Sequence, residues 1–505
     1  MENDYIVETS NGKVRGYSKK GIIKFKGIPY AAPPVGDLRF RPPAPAEPWT
    51  GVRDALEYSP IVPQPAGAVE SLFGEQREQN EAECLTLNIW TRAVDDQKRP
   101  VMFFIHGGGF VTGTGASLEG SRLVLRGDVV VVSINYRLGS LGFLYMPDVP
   151  EAASNIGLLD MAAALEFVKR NISRFGGDPD NVTIFGESAG GFAVAGLLAM
   201  PAVKGLFHRA ILQSGAAHPL GFNARAGINV YHRLLEELGI QKGDIEALRR
   251  VPAEDIIKAQ TAIMPVASGD FATERPLRLG PVVDKETLPE HPLEALRNGF
   301  AKEISVFVGS NLDETKLWHI WNPDAYKIDE DGLLKGVNGV VSLVGKDESK
   351  AREMIEVYRQ KRKTPRDIMD AVSTDYMFRI PSIRLAEAQS AHQKNTYMYL
   401  FTWQSPLAGG KYGAMHALEL GFVFGVLQQK AVGIFPERNE ETEALSEAMM
   451  DTWISFARNG NPNNAGIPPF PPYDTEKRAT IVFDKEIKIV EDPYGHERAV
   501  WSDLL

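Results

Sequence analysis

An α/β fold, with a large and mostly parallel central sheet flanked by helices, is what this sequence predicts. Three observations carry the expectation. Short apolar runs bounded by Gly, Asp or Asn recur: VMFFI at 101–105, VVVVSI at 129–134, VTIF at 182–185, AILQ at 210–213 and ISVFVG at 304–309. They are apolar on successive residues, as strands covered on both faces must be. Helical patterns alternate with them, which is the signature of a layered α/β protein. Finally, 505 residues that are 44% hydrophobic and 24% charged can bury a sizeable core, which excludes a disordered or collagen-like chain.

The first hundred residues read as shorter antiparallel strands broken by proline. PPVGDLRFRPPAPAEPW at 33–49 is turn-rich, because proline removes the donors that a regular ladder needs. A helix is expected from Gly157, where Leu158, Met161, Leu165 and Val168 recur at helical spacing before a stop at Gly176. VTIF leads through GESAGG at 186–191 into an apolar helix near Phe192. Mainly helical, charged sequence fills about 218–300 and 315–395, with ARAGINVYHRLLEELGI and SKAREMIEVYRQKRK the clearest stretches. These read as insertions beside the sheet. No Gly/Ser linker, repeat or low-complexity tract divides the chain, so a single domain over 1–505 is expected.

Fifty-five Lys plus Arg against sixty-five Asp plus Glu give a net charge of −10. That balance argues against nucleic acid as a partner, since a phosphate backbone calls for a basic patch. The one cysteine, Cys84, has no intramolecular disulfide partner. MENDYIVETSNGK shows no basic segment followed by an apolar run, and no apolar stretch approaches the length of a membrane span. A cytoplasmic, monomeric protein is the expectation.

The strongest chemical signal is GESAGG between a strand and a helix. A serine on that turn is forced into a strained backbone, and the flanking glycines remove Cβ atoms that would collide. Ser188 is then presented at the helix N-terminus, with the amide of Ala189 aimed where a tetrahedral oxyanion would form. The bland alternative is a glycine-rich turn with a capping serine. HGGGF at 106–110 follows a buried strand, and its consecutive glycines leave backbone N–H groups free to face a ligand. His106 precedes the serine and reads as structural.

A serine nucleophile needs a base and an acid, which on this kind of sheet follow in the order serine, acid, histidine. His319 lies too close to the acid candidates, His392 sits in a polar helical stretch, and His496 in a C-terminal turn. His416, between the loop AGGKYGAM and the apolar LELGFVFG, is the candidate base. Asp313 and Glu314, after ISVFVG, are the candidate acids, with Asp284 behind them. The pattern alone does not choose between Asp313 and Glu314. No metal-ligand spacing and no dinucleotide fingerprint is present, so no cofactor is expected.

With these residues in view, the chain resembles the type-B carboxylesterases, the family that includes the cholinesterases, and among them the bacterial para-nitrobenzyl esterases. The resemblance runs through FKGIPYAAPPVGDLRFRPP, EAECLTLNIW, HGGGF, INYRLGSLGFL, the stretch from NIGLLDM to GESAGG, and MHALELGFVFG. It implies an α/β-hydrolase fold and an ester hydrolase. It further implies Ser188 as nucleophile, His416 as base, Glu314 as the acid, and the amides of Gly108, Gly109 and Ala189 as the oxyanion hole. Secreted relatives pair the cysteine of the E-x-C-L motif, whereas Cys84 has no partner, which fits an intracellular bacterial enzyme. The expected substrates are short- to medium-chain apolar esters, with water as co-substrate. Phe110, Phe271, Leu277, Trp318 and Trp321 are candidate pocket residues. The rival readings are a non-catalytic cholinesterase-like adhesion protein and a serine amidase on the same fold.

Overall fold

The computed structural model describes residues 4–65, 77–218, 221–264, 279–427 and 436–504. Among these, thirteen strands form one sheet: β1 (Asp4–Thr9), β2 (Gly12–Lys19), β3 (Ile22–Pro29), β4 (Val52–Asp54), β5 (Thr86–Thr91), β6 (Arg99–Ile105), β7 (Val130–Ile134), β8 (Gly177–Glu187), β9 (Arg209–Gln213), β10 (Ser305–Asn311), β11 (Thr396–Phe401), β12 (Ala479–Phe483) and β13 (Lys488–Glu491). Across the sheet the order is β1-β2-β3-β5-β7-β6-β8-β9-β10-β11-β12-β13, with β4 beside β2. Neighbours from β7 to β12 are parallel. The N-terminal hairpins and β13 extend the sheet antiparallel. This is an α/β-hydrolase architecture.

Side chains alternate faces along each strand, and both faces are covered. On β6, Val101, Phe103 and Ile105 join one core while Met102 and Phe104 join the other. On β10, Val306 and Val308 face opposite to Phe307 in the same way. This two-sided burial is why the five parallel-strand runs read as continuously apolar.

Five helices matter below: α1 (Ile156–Asn171), α2 (Ala189–Leu198), α3 (Pro365–Thr374), α4 (Ile380–Ser390) and α5 (Glu440–Asn459). The expected helix at 157 is α1, prolonged by a 3₁₀ turn at Ile172–Phe175 and stopped at Gly176 in the left-handed region. The helix expected near Phe192 begins earlier, at Ala189, directly after the serine. A π-helical turn, Asp375–Arg379, joins α3 to α4. α5 starts on a capping box formed by Asn439 and Thr442. No described helix is long and apolar enough to cross a membrane.

The chain leaves β6 toward β7 on one side and then returns to place β8 on the other. At such a reversal the loops after the two strands diverge and open a crevice at their C-terminal ends. Those loops are HGGGF after β6 and Ser188 after β8.

Candidate active site

Ser188 follows the last residue of β8 and precedes the first of α2 with φ 55° and ψ −122°, a strained geometry for a residue with a side chain. The sharp turn packs its own glycines tightly. A Cβ on Gly190 would stand 2.1 Å from the Ile105 carbonyl oxygen, and one on Gly186 would meet the Gly190 backbone at 2.6 Å. The Ser188 amide donates to the Gln213 carbonyl on β9 at 2.9 Å, which fixes the turn to the sheet. Ser188 is partly exposed, and its hydroxyl makes no hydrogen bond among the described residues.

The loop after β6 runs against this turn: a Cβ on Gly107 would lie 3.1 Å from Ser188 Cβ. Gly108 and Gly109 both have positive φ, 108° and 63°, and this turns the backbone so that neither amide donates to a described residue. Ala189 occupies the first position of α2, where a helix leaves its N–H without an intrahelical partner. The amides of Gly108, Gly109 and Ala189 are thus without backbone partners among the described residues, on the two turns that meet at Gly107 and Ser188. His106 is buried, stacks on Tyr136 at 4.4 Å and donates its Nδ1–H to the Gly107 carbonyl at 2.8 Å. Burial lowers its pKa to about 4, so it is a neutral packing residue beneath the loop.

Glu314 begins a 3₁₀ turn, Glu314–Ile320, after β10. Its Oε2 lies 2.6 Å from His416 Nδ1, while its Oε1 accepts the Asn311 amide at 2.7 Å. The His416 amide in turn donates to the Glu314 carbonyl at 3.2 Å. Both side chains are buried. Asp313 points elsewhere: its Oδ2 accepts the Ala414 amide at 3.0 Å, and its Oδ1 pairs with Lys316 at 2.9 Å. The two adjacent acids therefore have different partners. Asp284 accepts the amides of Glu286 and Leu288 and closes a turn.

Of the other histidines, His392 and His496 are exposed, and His319 is buried against Asp370 at 2.8 Å. The ring of His416 is held by Trp318 at 5.1 Å and by Phe378 at 4.9 Å between centroids. Phe110 is buried on Phe143, and Trp321 is exposed; Phe271 and Leu277 lie outside the described residues.

Two further carboxylates, which the sequence reading did not single out, meet at this site. Glu187 Oε1 lies 3.0 Å from His416 Nε2, at an angle that is not that of a hydrogen bond. Glu419 accepts from Asn311 Nδ2 at 2.7 Å and from Gln213 Nε2 at 3.1 Å. Gln213 is itself held by the indole N–H of Trp453 on α5. Nε2 of His416 thus faces Glu187 and makes no hydrogen bond to Ser188. Catalytic hydrogen bonds commonly tighten only once substrate is bound.

Burial alone would disfavour the imidazolium, but Glu187 and then Glu314 outweigh it and raise the His416 pKa to about 9. Glu187 is pushed up to about 8, first by burial and further by Glu419 and Glu314, against the pull of His416. Glu419 rises to about 7, by burial and then by Glu314. Glu187 and Glu419 are held toward their neutral forms by burial, while His416 is held toward its charged form, so the protonation of Glu187, Glu419 and His416 is coupled. Among the described residues no group of His, Cys, Asp or Glu is arranged to hold a metal ion. A cavity of about 730 Å³ lies beside Gln64 and Ala253, and none of these site residues lines it. The chemistry this arrangement offers is nucleophilic attack by a hydroxyl, with an adjacent acid–base pair and free amides for the resulting anion.

Residues 3–501 match the carboxylesterase family. The chain is 40% identical over 496 residues to the para-nitrobenzyl esterase of Bacillus subtilis (strain 168), covering 98% of this chain and 97% of that one. It is 33% identical over 491 residues to the phenmedipham hydrolase of Pseudarthrobacter oxydans, covering 95% of each. The crystal structure of a Geobacillus stearothermophilus carboxylesterase superposes with a TM-score of 0.87 at 40% identity, over 98% of this chain and 100% of that one.

Proposed function

The chain belongs to the carboxylesterase family and is a serine carboxylic ester hydrolase, and from that premise we propose that Ser188, His416 and Glu314 carry the reaction. Ser188 attacks the ester carbonyl as His416 takes its proton. Glu314, on Nδ1, orients the ring and stabilises its cationic form. The amides of Gly108, Gly109 and Ala189 receive the oxyanion. His416 then returns its proton to the departing alcohol, and water releases the acid by the same steps in reverse. The observation that carries this reading is the buried 2.6 Å contact between Glu314 and His416 Nδ1, beside a serine held in a strained strand-to-helix turn.

The substrates proposed are uncharged, apolar esters of short to medium chain. Support comes from the aromatic rings of Trp318 and Phe378 around the base and from a net charge of −10, which disfavours anions at a distance. The relatives' names point the same way, since they include a para-nitrobenzyl esterase and a phenmedipham hydrolase. A cytoplasmic location and a monomeric state complete the proposal. The lone, buried Cys84, whose thiol burial makes still more reluctant to ionise, fits a protein that needs no disulfide.

A panel of acyl esters of graded chain length, with a matching anilide and an anionic isostere, tests the reading in wild type and Ser188→Ala. Neutral esters should turn over fastest, with the variant inactive. An active Ser188→Ala, or a higher specificity constant for the anionic ester, overturns the corresponding part.

A further inference from the structure

Five residues after Glu314 a second histidine–carboxylate pair is buried that the chemistry above does not use. His319 Nε2 lies 2.8 Å from Asp370 Oδ1, and both side chains are almost wholly shielded from water. Arg366 also reaches Asp370 Oδ1, at 2.6 Å. Burying such a group of charges is a poor route to stability, because the desolvation cost can match the attraction gained. Its position suggests another use.

Asp370 belongs to α3, and the face it shares with Asp367 and Thr374 is turned to the 3₁₀ turn that begins at Glu314. The positions are i, i+3 and i+7, one stripe of a helix. Lys316 lies 3.7 Å from Asp367. The Thr315 hydroxyl donates to the Asp370 carbonyl at 3.0 Å, and the Thr315 amide to the Thr374 hydroxyl at 3.4 Å. His319 completes the row. Residues 315, 316 and 319 are thus all tied to α3, while 314 and 318, interleaved with them, touch His416: Glu314 through Nδ1 and Trp318 through the ring face. The same helical segment passes through its π-turn and places Phe378 on the other contact to that ring. π-Turns of this kind are often found where a helix must aim a side chain at a functional site.

We propose that His319 and Asp370 are positioning residues, which lock the turn carrying Glu314 and Trp318 onto the helix that carries Phe378 and so hold His416 in register. The proposal rests on the assignment of Glu314 and His416 as acid and base. Neither His319 nor Asp370 touches the reacting atoms. Loosening the lock lets Glu314 and Trp318 drift relative to the imidazole, and small misplacements of reacting groups are costly.

The test compares His319→Leu, His319→Gln and Asp370→Asn at matched folded fraction, with steady-state kinetics on a neutral ester across pH. His319→Leu and Asp370→Asn should lose kcat by about 10- to 100-fold, with KM held within about twofold. The groups facing His416 are Glu314, Glu187 and Glu419. A weaker Glu314 contact therefore moves the acid limb of kcat/KM to lower pH. His319→Gln keeps a donor toward Asp370 and should recover most of kcat. Arg99→Met serves as the stability control, since Arg99 pairs with Asp128 at the start of β6, away from the site. It should lower the melting temperature and leave kcat unchanged.

Unchanged kcat and pH profile in His319→Leu and Asp370→Asn, whatever their stability, overturns the proposal, as does a loss confined to KM. If His319→Leu does not fold, Thr315→Val removes a milder contact of the same row. It should move kcat and the acid limb in the same directions, and no movement overturns the idea. Glu314→Gln in the same assay separates the two levels of argument. If it is inactive while the His319 and Asp370 variants behave as wild type, only the positioning claim fails. If it is fully active, the acid assignment fails and the positioning claim goes with it.

Discussion

Replacing Glu187 by Gln should move the acid limb of kcat/KM to lower pH. The carboxylate stands 3.0 Å from Nε2 of His416 in a buried site. It is the first of the charges that offset burial and hold the imidazole up at about 9. An opposite charge this close raises a base by roughly one to three pH units, so removing it should lower the limb by a comparable amount. The consequence for rate follows from the protonation state. His416 and Glu187 titrate together, so lowering the limb enlarges the neutral share of the ring at every pH on its acid side. The variant should therefore gain on wild type below neutral pH, even if its plateau falls because the imidazolium of the transition state has lost a stabilising charge. The assay is kcat/KM for a neutral ester from about pH 5 to 10 at fixed ionic strength, corrected for folded fraction. An acid limb that stays in place or moves upward refutes the reasoning. It would mean that the proton on His416 is set by Glu314 and Glu419 alone.

Three further outcomes are expected. A serine-directed organophosphate should label Ser188, as read by mass spectrometry, and abolish activity, while a chelator leaves activity intact; inhibition reversed by a divalent ion would count against a metal-free mechanism. Glu314→Gln keeps the size but removes the charge on Nδ1 and should cost roughly 10³–10⁴ in kcat by analogy with the serine-protease triad. Asp313→Asn should cost far less, and mostly in stability, since Asp313 bonds Lys316 and the Ala414 amide; an active Glu314→Gln beside a dead Asp313→Asn reverses the pair. Arg137→Met removes the partner of Asp160, which it meets at 2.7 Å with both side chains buried, and should destabilise by about 3–5 kcal/mol in urea unfolding.

The parts of this site that could be read from the sequence are the ones that backbone geometry demands. A strand that must turn sharply into a helix around a serine needs Gly186 and Gly190, because any side chain there would collide with its neighbours. An amide-lined loop needs the positive φ of Gly108 and Gly109. Such requirements are written in residue type. The same holds for strands buried on both faces, which must be apolar throughout. β11 and β12, YMYLF and TIVF within their spans, carry the same signal, every residue of both being buried.

Side-chain partnerships are a different matter, because they depend on what the fold brings near. Asp313 and Glu314 are chemically similar neighbours, and the residues alone did not separate them; family resemblance favoured Glu314. In the structure the difference is one of direction, Glu314 toward His416 and Asp313 toward Ala414 and Lys316. Glu187 sat within the GESAGG motif, and Glu419 lay three residues beyond His416, yet a glutamate next to a functional residue is most often solvated. What makes these two unusual is burial around a shared imidazole, and burial of a polar residue is decided by elements far away in the chain. Glu419, for instance, is reached by Gln213 from β9 and Asn311 from β10. The protonation of this cluster is therefore a property of the assembled sheet end. Changing Gln213 or Asn311, which carry no charge, should shift the pH dependence of a reaction they do not enter.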